Sequence, residues 1–356
     1  MTIYIIAAVL PFVFDLYFEG KQQDHHLKGR ERKRNVILFV ILASIPMMVI
    51  LGLRGFRIGT DTIQYVSHFR KVRRLTLIDA YNYSENEPGI YLLMYLCAQV
   101  STDPTFFLCV QGIIVTVAFI IFVVQNNDGE LLTTVFYVTL GSFFFMITGM
   151  RQATAIAFCL LAVNSIRKKR LILFALLVFI AFNMHRSSIM FAVLYLIGHR
   201  KLTFGNMSVN FIISFLFVIF FNSFQTFFND ALNYSYEMES TGNGGIFLAI
   251  VVIMNAIALY MRNEVLKEKP DAIVLYNGSL IALTLWVARL FTRTAERPSY
   301  YFLPCTFAVA AMAIQNIKSP QQRILFRIGA FVFSIALMIY RLINSPTLYP
   351  FRFYWR

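Results

Sequence analysis

Apolar runs long enough to cross a bilayer core of roughly 30 Å follow one another along most of the chain, separated by short loops. They lie near 2–18, 35–53, 104–125, 131–148, 209–228, 246–261, 272–291, 299–316 and 324–343, with shorter ones near 88–101, 151–166, 170–183 and 187–198. With 58% hydrophobic and 14% charged residues, too little polar surface remains to cover this mass in water. The expectation is an all-α, polytopic transmembrane bundle of about twelve spans, a single domain over residues 1–356. The run from Thr2 to Phe14 has no basic stretch before it and no small-residue cleavage pattern after it, so it reads as a first span.

The net charge of +14 does not point to nucleic acid, because the basic residues sit in short loops between apolar runs. That is the pattern of the positive-inside rule. It puts on the cytoplasmic side the loop with Lys21, Lys28, Arg30, Arg32, Lys33 and Arg34, together with Arg167–Arg170, Arg200–Lys201, Arg262–Lys269 and Lys318–Arg323. These assignments agree only if 88–101 enters and leaves from the outer side without crossing, as a re-entrant or interfacial segment. Both termini and the acidic loop Asn229–Gly245 then lie outside.

This layout leaves Arg54, Arg57, Arg151, His185, Arg186, Arg289, Arg293 and Arg297 at or near the outer face, where few basic residues are expected. Arg54 and Arg57, followed by the turn Gly59-Thr60-Asp61, suit either an anion held by guanidinium forks or two arginines snorkelling from a helix end. Ile63, Val66, Phe69 and Val72 repeat at helical spacing among Arg70, Lys71, Arg73 and Arg74, which predicts a short interfacial helix. The outer-face loop and this helix together span 54–87.

Arg151 opens a helix and is followed by Gln152, adding a fixed charge to a positive dipole end. Arg289, Arg293 and Arg297 are spaced to stack on one helix face, with Glu296 a partner for Arg293. His185 is either a structural histidine or, beside the arginines and the carboxylates Asp61 and Glu87, a general base. Asp61 equally suits the N-cap of the interfacial helix. Cys97, Cys109, Cys159 and Cys305 all lie in apolar stretches and read as small hydrophobes. There is no HExxH, outward Asp-x-Asp pair, P-loop or Gly-rich fingerprint, so no metal and no cofactor is expected.

The chain resembles the EpsG-like, Wzy-type polysaccharide polymerases of bacterial membranes. The resemblance rests on Leu53-Arg-Gly-Phe-Arg-Ile-Gly-Thr-Asp-Thr-Ile-Gln-Tyr65, Glu87-Pro-Gly-Ile-Tyr91, Met150-Arg-Gln-Ala-Thr-Ala155, His185-Arg-Ser-Ser188 and the stretch from Arg293 through Tyr300-Tyr-Phe302, in that order. It implies a GT-C-like, metal-independent glycosyltransferase at the outer face of the bacterial cytoplasmic membrane. Its donor and acceptor would be glycans linked to undecaprenyl diphosphate, with the surrounding lipids as further partners. Whether flippase and chain-length regulator proteins act with it stays open.

On this resemblance His185 is the base, with Asp61 and Glu87 behind it, and Arg54, Arg57, Arg151, Arg289 and Arg293 face the diphosphate. Tyr65, Gln152, Arg297, Tyr300 and Tyr301 fall to the substrate, although Tyr300 and Tyr301 also fit interface anchors. The Arg297-Pro298 dipeptide departs from a plain helical continuation and leaves the choice among the three arginines open. A ligase using the same donor and a transporter of lipid-linked sugar are the competing classes.

Overall fold

In a computed structural model of the chain, residues 1–21, 29–84, 86–126, 129–206, 208–209, 212, 244–291 and 295–355 are described. The apolar runs within them are helices, and the described residues form no sheet, only an isolated bridge between Arg54 and Phe353. The first half contains α1 (Thr2–Lys21), α2 (Gly29–Leu53), α3 (Thr62–Val72), α4 (Leu77–Tyr81), α5 (Pro88–Val100) and α6 (Pro104–Asn126). There follow α7 (Glu130–Thr139), α8 (Ser142–Thr148), α9 (Met150–Arg167), α10 (Leu171–Met184), a 3-10 turn over Arg186–Phe191 and α11 (Ala192–Ile197). The last third contains α12 (Gly245–Tyr260), α13 (Arg262–Glu268), α14 (Ile273–Ala288), α15 (Glu296–Ser299), α16 (Leu303–Gln315) and α17 (Pro320–Ile343). The run expected at 209–228, the acidic loop after it and most of the first basic loop lie outside the described residues.

Among the described residues, four helical stretches are long and apolar enough to cross a membrane: Arg34–Leu53, Pro104–Gln125, Pro270–Ala288 and Pro320–Ile343. The number rises to 6 if the bent pairs α7/α8, at 54°, and α12/α13, at 61°, each count as one span. The break in the first pair is at Gly141, whose φ of +102° is one that side-chain-bearing residues rarely adopt. The outer surface carries large exposed apolar side chains, among them Ile172, Leu196, Leu325 and Tyr340, a pattern that suits lipid and not water.

Side-chain contacts show which helix ends lie together. At one end, the Tyr4 hydroxyl donates to the Leu348 carbonyl at 3.0 Å and Gln152 Nε2 to the Arg297 carbonyl at 2.6 Å, while Gly244 lies against Arg289. At the other, Arg167 donates to the Gln125 carbonyl at 2.8 Å and pairs with Asp271 at 2.5 Å, and Asn277 Nδ2 donates to the carbonyls of Gly198 and Arg200. The first end gathers Arg54, Arg151, Arg186, Arg289 and Arg297 with Tyr4 and residues 347–354. The second gathers the basic loops at 167–170, 200–201 and 262–269. α5 starts and finishes at the first end: Gly89 packs on Asn183, and beyond its far end the Thr102 carbonyl accepts from Arg73.

Glycine at a helix crossing permits the closest packing. An added Cβ on Gly52 would lie 3.1 Å from the Cys109 Cα, and one on Gly112 would lie 3.0 Å from the Leu51 Cβ, which draws α2 and α6 together. In the loop after α2, the Gly55 N–H donates to the Arg352 carbonyl at 2.7 Å and the Gly59 N–H to the Thr347 carbonyl at 2.8 Å. The C-terminal tail is thus laced to this loop.

Gly59 has φ +88°, and a Cβ there would stand 2.6 Å from the Ile147 carbonyl oxygen. Gly59→Ala combines backbone strain with a clash against main chain, together on the order of 1–3 kcal/mol. The expected outcome is a thermal midpoint in detergent lowered by at least ~2 °C; an unchanged midpoint would show that the lacing does not bear on stability.

Candidate functional site

The helix-terminal residues of α5, α9 and α10 converge at the first end. Pro88 occupies the opening position of α5, where its missing N–H costs nothing, so Glu87 is held at the N-cap with its side chain fully buried. Met150 opens α9, which places Arg151 in its first turn. His185 closes α10 in extended conformation and turns the chain into the 3-10 segment.

Glu87 ties the three together. Its Oε1 accepts from His185 Nδ1 at 2.5 Å and from the Arg186 backbone N–H at 3.3 Å, and its Oε2 pairs with Arg151 Nη1 at 2.5 Å. The Arg151 Nε donates to the Tyr65 hydroxyl at 2.7 Å, which brings in α3. Burial acts to raise the Glu87 carboxyl. The His185 hydrogen bond, the His185 and Arg151 charges and the Arg186 N–H outweigh it and hold the group below its ordinary value. An ionised carboxylate at Nδ1 requires a proton there, which leaves Nε2 as the ring nitrogen open to proton exchange. The His185 and Arg151 side chains differ in access, the former 5% and the latter 36% exposed, so the guanidinium forms the open edge of the cluster.

A second group lies beside it. Arg289 Nε donates to Glu296 Oε2 at 2.8 Å, and the Tyr300 hydroxyl donates to Glu296 Oε1 at 3.0 Å while its ring stacks on Phe145 with centroids 4.1 Å apart. Two bonds connect the groups: Gln152 to the Arg297 carbonyl, and Ser187 Oγ to the Tyr301 hydroxyl at 3.0 Å.

Several expectations change. Arg289 and Arg297 do not share a helix: α14 ends at Ala288 with Arg289 as its C-cap, and Arg297 sits in the separate short α15. Glu296 pairs with Arg289; Arg293 lies outside the described residues. Tyr300 and Tyr301 are buried, so neither is an interface anchor. Asp61 stands at the N-cap of α3 without a capping bond and accepts from the Thr60 hydroxyl at 2.9 Å.

In α3 it is Thr62, Tyr65, Val66, Phe69 and Val72 that are buried, while Ile63 is exposed. Arg54 is fully buried, away from Glu87, donating to the Leu51 carbonyl and to Thr62 Oγ1. Arg57 is exposed on the same end. The sequence reading missed Arg341, the aromatic group His68, Tyr83 and Tyr91 beside Tyr65, and the bond from Arg186 Nε to the Asn86 carbonyl at 2.7 Å. The i, i+3 spacing of Tyr65 and His68 on an amphipathic helix was the available signal for that group.

Fold and site define a helical membrane protein whose carboxylate, imidazole and guanidinium groups meet at one end of the bundle. The family model described as the EpsG family matches residues 37–353, and the chain belongs to that family, whose members are polysaccharide polymerase-type membrane proteins. Comparison with curated proteins and with solved structures gave no match.

Because the Glu87 carboxyl titrates lower when folded, its contribution to stability is present above the unfolded value of about 4.3 and is lost as pH falls through the lowered folded value. Glu87→Gln is expected to lower stability at neutral pH by on the order of 1–3 kcal/mol. The gap between the variant and the native protein should close below about pH 4. Thermal melts in detergent across pH 3–8 check this, and a gap independent of pH would refute it.

Proposed function

We propose that this protein polymerises undecaprenyl diphosphate-linked repeat units into surface polysaccharide at the outer face of the bacterial cytoplasmic membrane. The observation that carries the reading is the bonding of Glu87 to both His185 and Arg151 in a chain of this family. A glycosyl transfer needs a base at the acceptor hydroxyl and positive charge at the departing diphosphate. His185, held by Glu87 in the tautomer with a basic Nε2, takes the acceptor proton. The acceptor oxygen bonds the donor's anomeric carbon as the bond from that carbon to the lipid diphosphate breaks. The diphosphate leaves as an anion stabilised by Arg151 with Arg57 and Arg289, without a metal.

The same reading keeps about twelve crossings in a GT-C-like arrangement with both termini outside. Supporting it, short helices such as α10 and the Arg186–Ile197 stretch run between the end with Glu87 and the end with the basic loops. Tyr65, Gln152, Arg297, Tyr300 and Tyr301 serve this site as positioning residues behind the reacting groups, and Asp61 is the reserve base. Arg54 would act on the diphosphate indirectly, by holding the loop that presents Arg57.

Purified protein given lipid-linked repeats alone is expected to extend them, which a ligase would not do. His185→Ala should lower the transfer rate on the order of 10²–10⁴-fold, with Arg151→Ala shortening surface glycan in cells at normal protein levels. Unchanged long chains in both variants would overturn the reading, and passage of an unaltered lipid diphosphate across vesicles would indicate a transporter.

A further inference from the structure

A recess of about 500 Å³ opens at the same end as Glu87 but apart from it, lined by Arg289, Arg341, Glu296, Tyr300, Phe247 and Trp286 among others. An apolar groove of about 390 Å³ runs along α17, walled by α7, α12 and α16 through residues such as Phe136, Ile250, Met254, Ala310, Gly329 and Phe333. The two share their walls. Leu140 borders the groove and Gly141 the recess; Ile250 and Phe247 are one turn apart on α12; Ser334 and Arg341 are two turns apart on α17. Two turns are about 11 Å, so groove and recess succeed each other along one helix. A Cβ added at Gly329 would meet nothing within 4 Å.

We propose that groove and recess together bind one lipid carrier, its isoprenoid chain along α17 and its diphosphate between Arg289 and Arg341. The inference rests on the polymerase reading and deepens it by giving one of the two lipid-linked substrates its own seat. The charge fits: two guanidinium groups face one carboxylate, and Glu296 is engaged by Arg289. Among the described residues Arg341 has no carboxylate partner; it donates to the Leu140 carbonyl at 2.8 Å and lies over the Phe247 ring at 4.8 Å. A diphosphate offers both forks more anionic oxygens and more negative charge than a single phosphodiester headgroup does. The aromatic walls suit the first sugar beside the diphosphate. From the recess, Tyr300 and its neighbour Tyr301, bonded to Ser187, lead toward His185.

The test is binding of radiolabelled undecaprenyl diphosphate and of a ten-carbon isoprenyl diphosphate to the purified full chain in detergent. Native protein, Gly329→Trp, the milder Gly329→Leu and Arg341→Gln are compared, with Gly205→Trp as an exposed control that also has no neighbour within 4 Å. Native protein should prefer the long chain. Gly329→Trp should weaken the long-chain ligand at least tenfold and leave the short one unchanged, Gly329→Leu should act in the same direction, Arg341→Gln should weaken both, and Gly205→Trp should weaken neither.

Native long-chain affinity in both Gly329 variants would overturn the inference, as would displacement of the label by equimolar phosphatidylglycerol, which would make the groove an ordinary lipid contact. If the native chain binds neither diphosphate, the polymerase reading fails with it. If it binds both and filling the groove has no effect, this inference fails and the polymerase reading stands.

Discussion

A carboxylate without access to water is among the more expensive things a protein can hold, and here Glu87 is held by groups from three directions. Removing such an ion from water costs several kcal/mol even after relaxation. What offsets the cost is a set of donors on both oxygens: an imidazole, a guanidinium and a backbone N–H. None of these donors is close to Glu87 in sequence, so the carboxylate forms fully only when α5, α9 and α10 have docked. Removing the charge would leave a guanidinium and an imidazole pressed together with nothing between them. The arrangement of the whole first end, including the attachment of α3 through Tyr65, follows from satisfying that one group.

The helices were largely legible before any coordinates, because in a membrane the length and apolarity of a run are nearly the whole specification. The amphipathic helix α3 was legible from its pattern, with Arg70 and Lys71 exposed and Val66, Phe69 and Val72 buried. The end of α14 at Ala288 was hidden because the four-residue spacing of the arginines continues past it. The residues of the Glu87 cluster were named and placed on one face, yet Glu87 as their common partner was not, since a partner 98 residues away leaves no local pattern. Arg341 was missed because an arginine near the end of a terminal helix looks like any other snorkelling side chain.

Carboxylate–guanidinium pairs occur toward both ends of the bundle. Toward the basic loops, Arg167 meets the Gln125 carbonyl and the exposed Asp271, and Arg327 pairs with the buried Asp15. At the opposite end, the buried Glu87 is matched to Arg151 and the half-buried Glu296 to Arg289. Matched pairs leave orientation fixed while the surplus cations, Arg57 and Arg341, keep the surroundings positive. Such an environment attracts an anionic headgroup and still presents it with a defined geometry.

The lacing of residues 347–354 to the loop after α2 joins the last residues of the chain to the segment that carries Arg57 and leads into α3. Any displacement of residues 347–354 is therefore passed by main-chain bonds, without an intervening side chain, to the segment beside the working end.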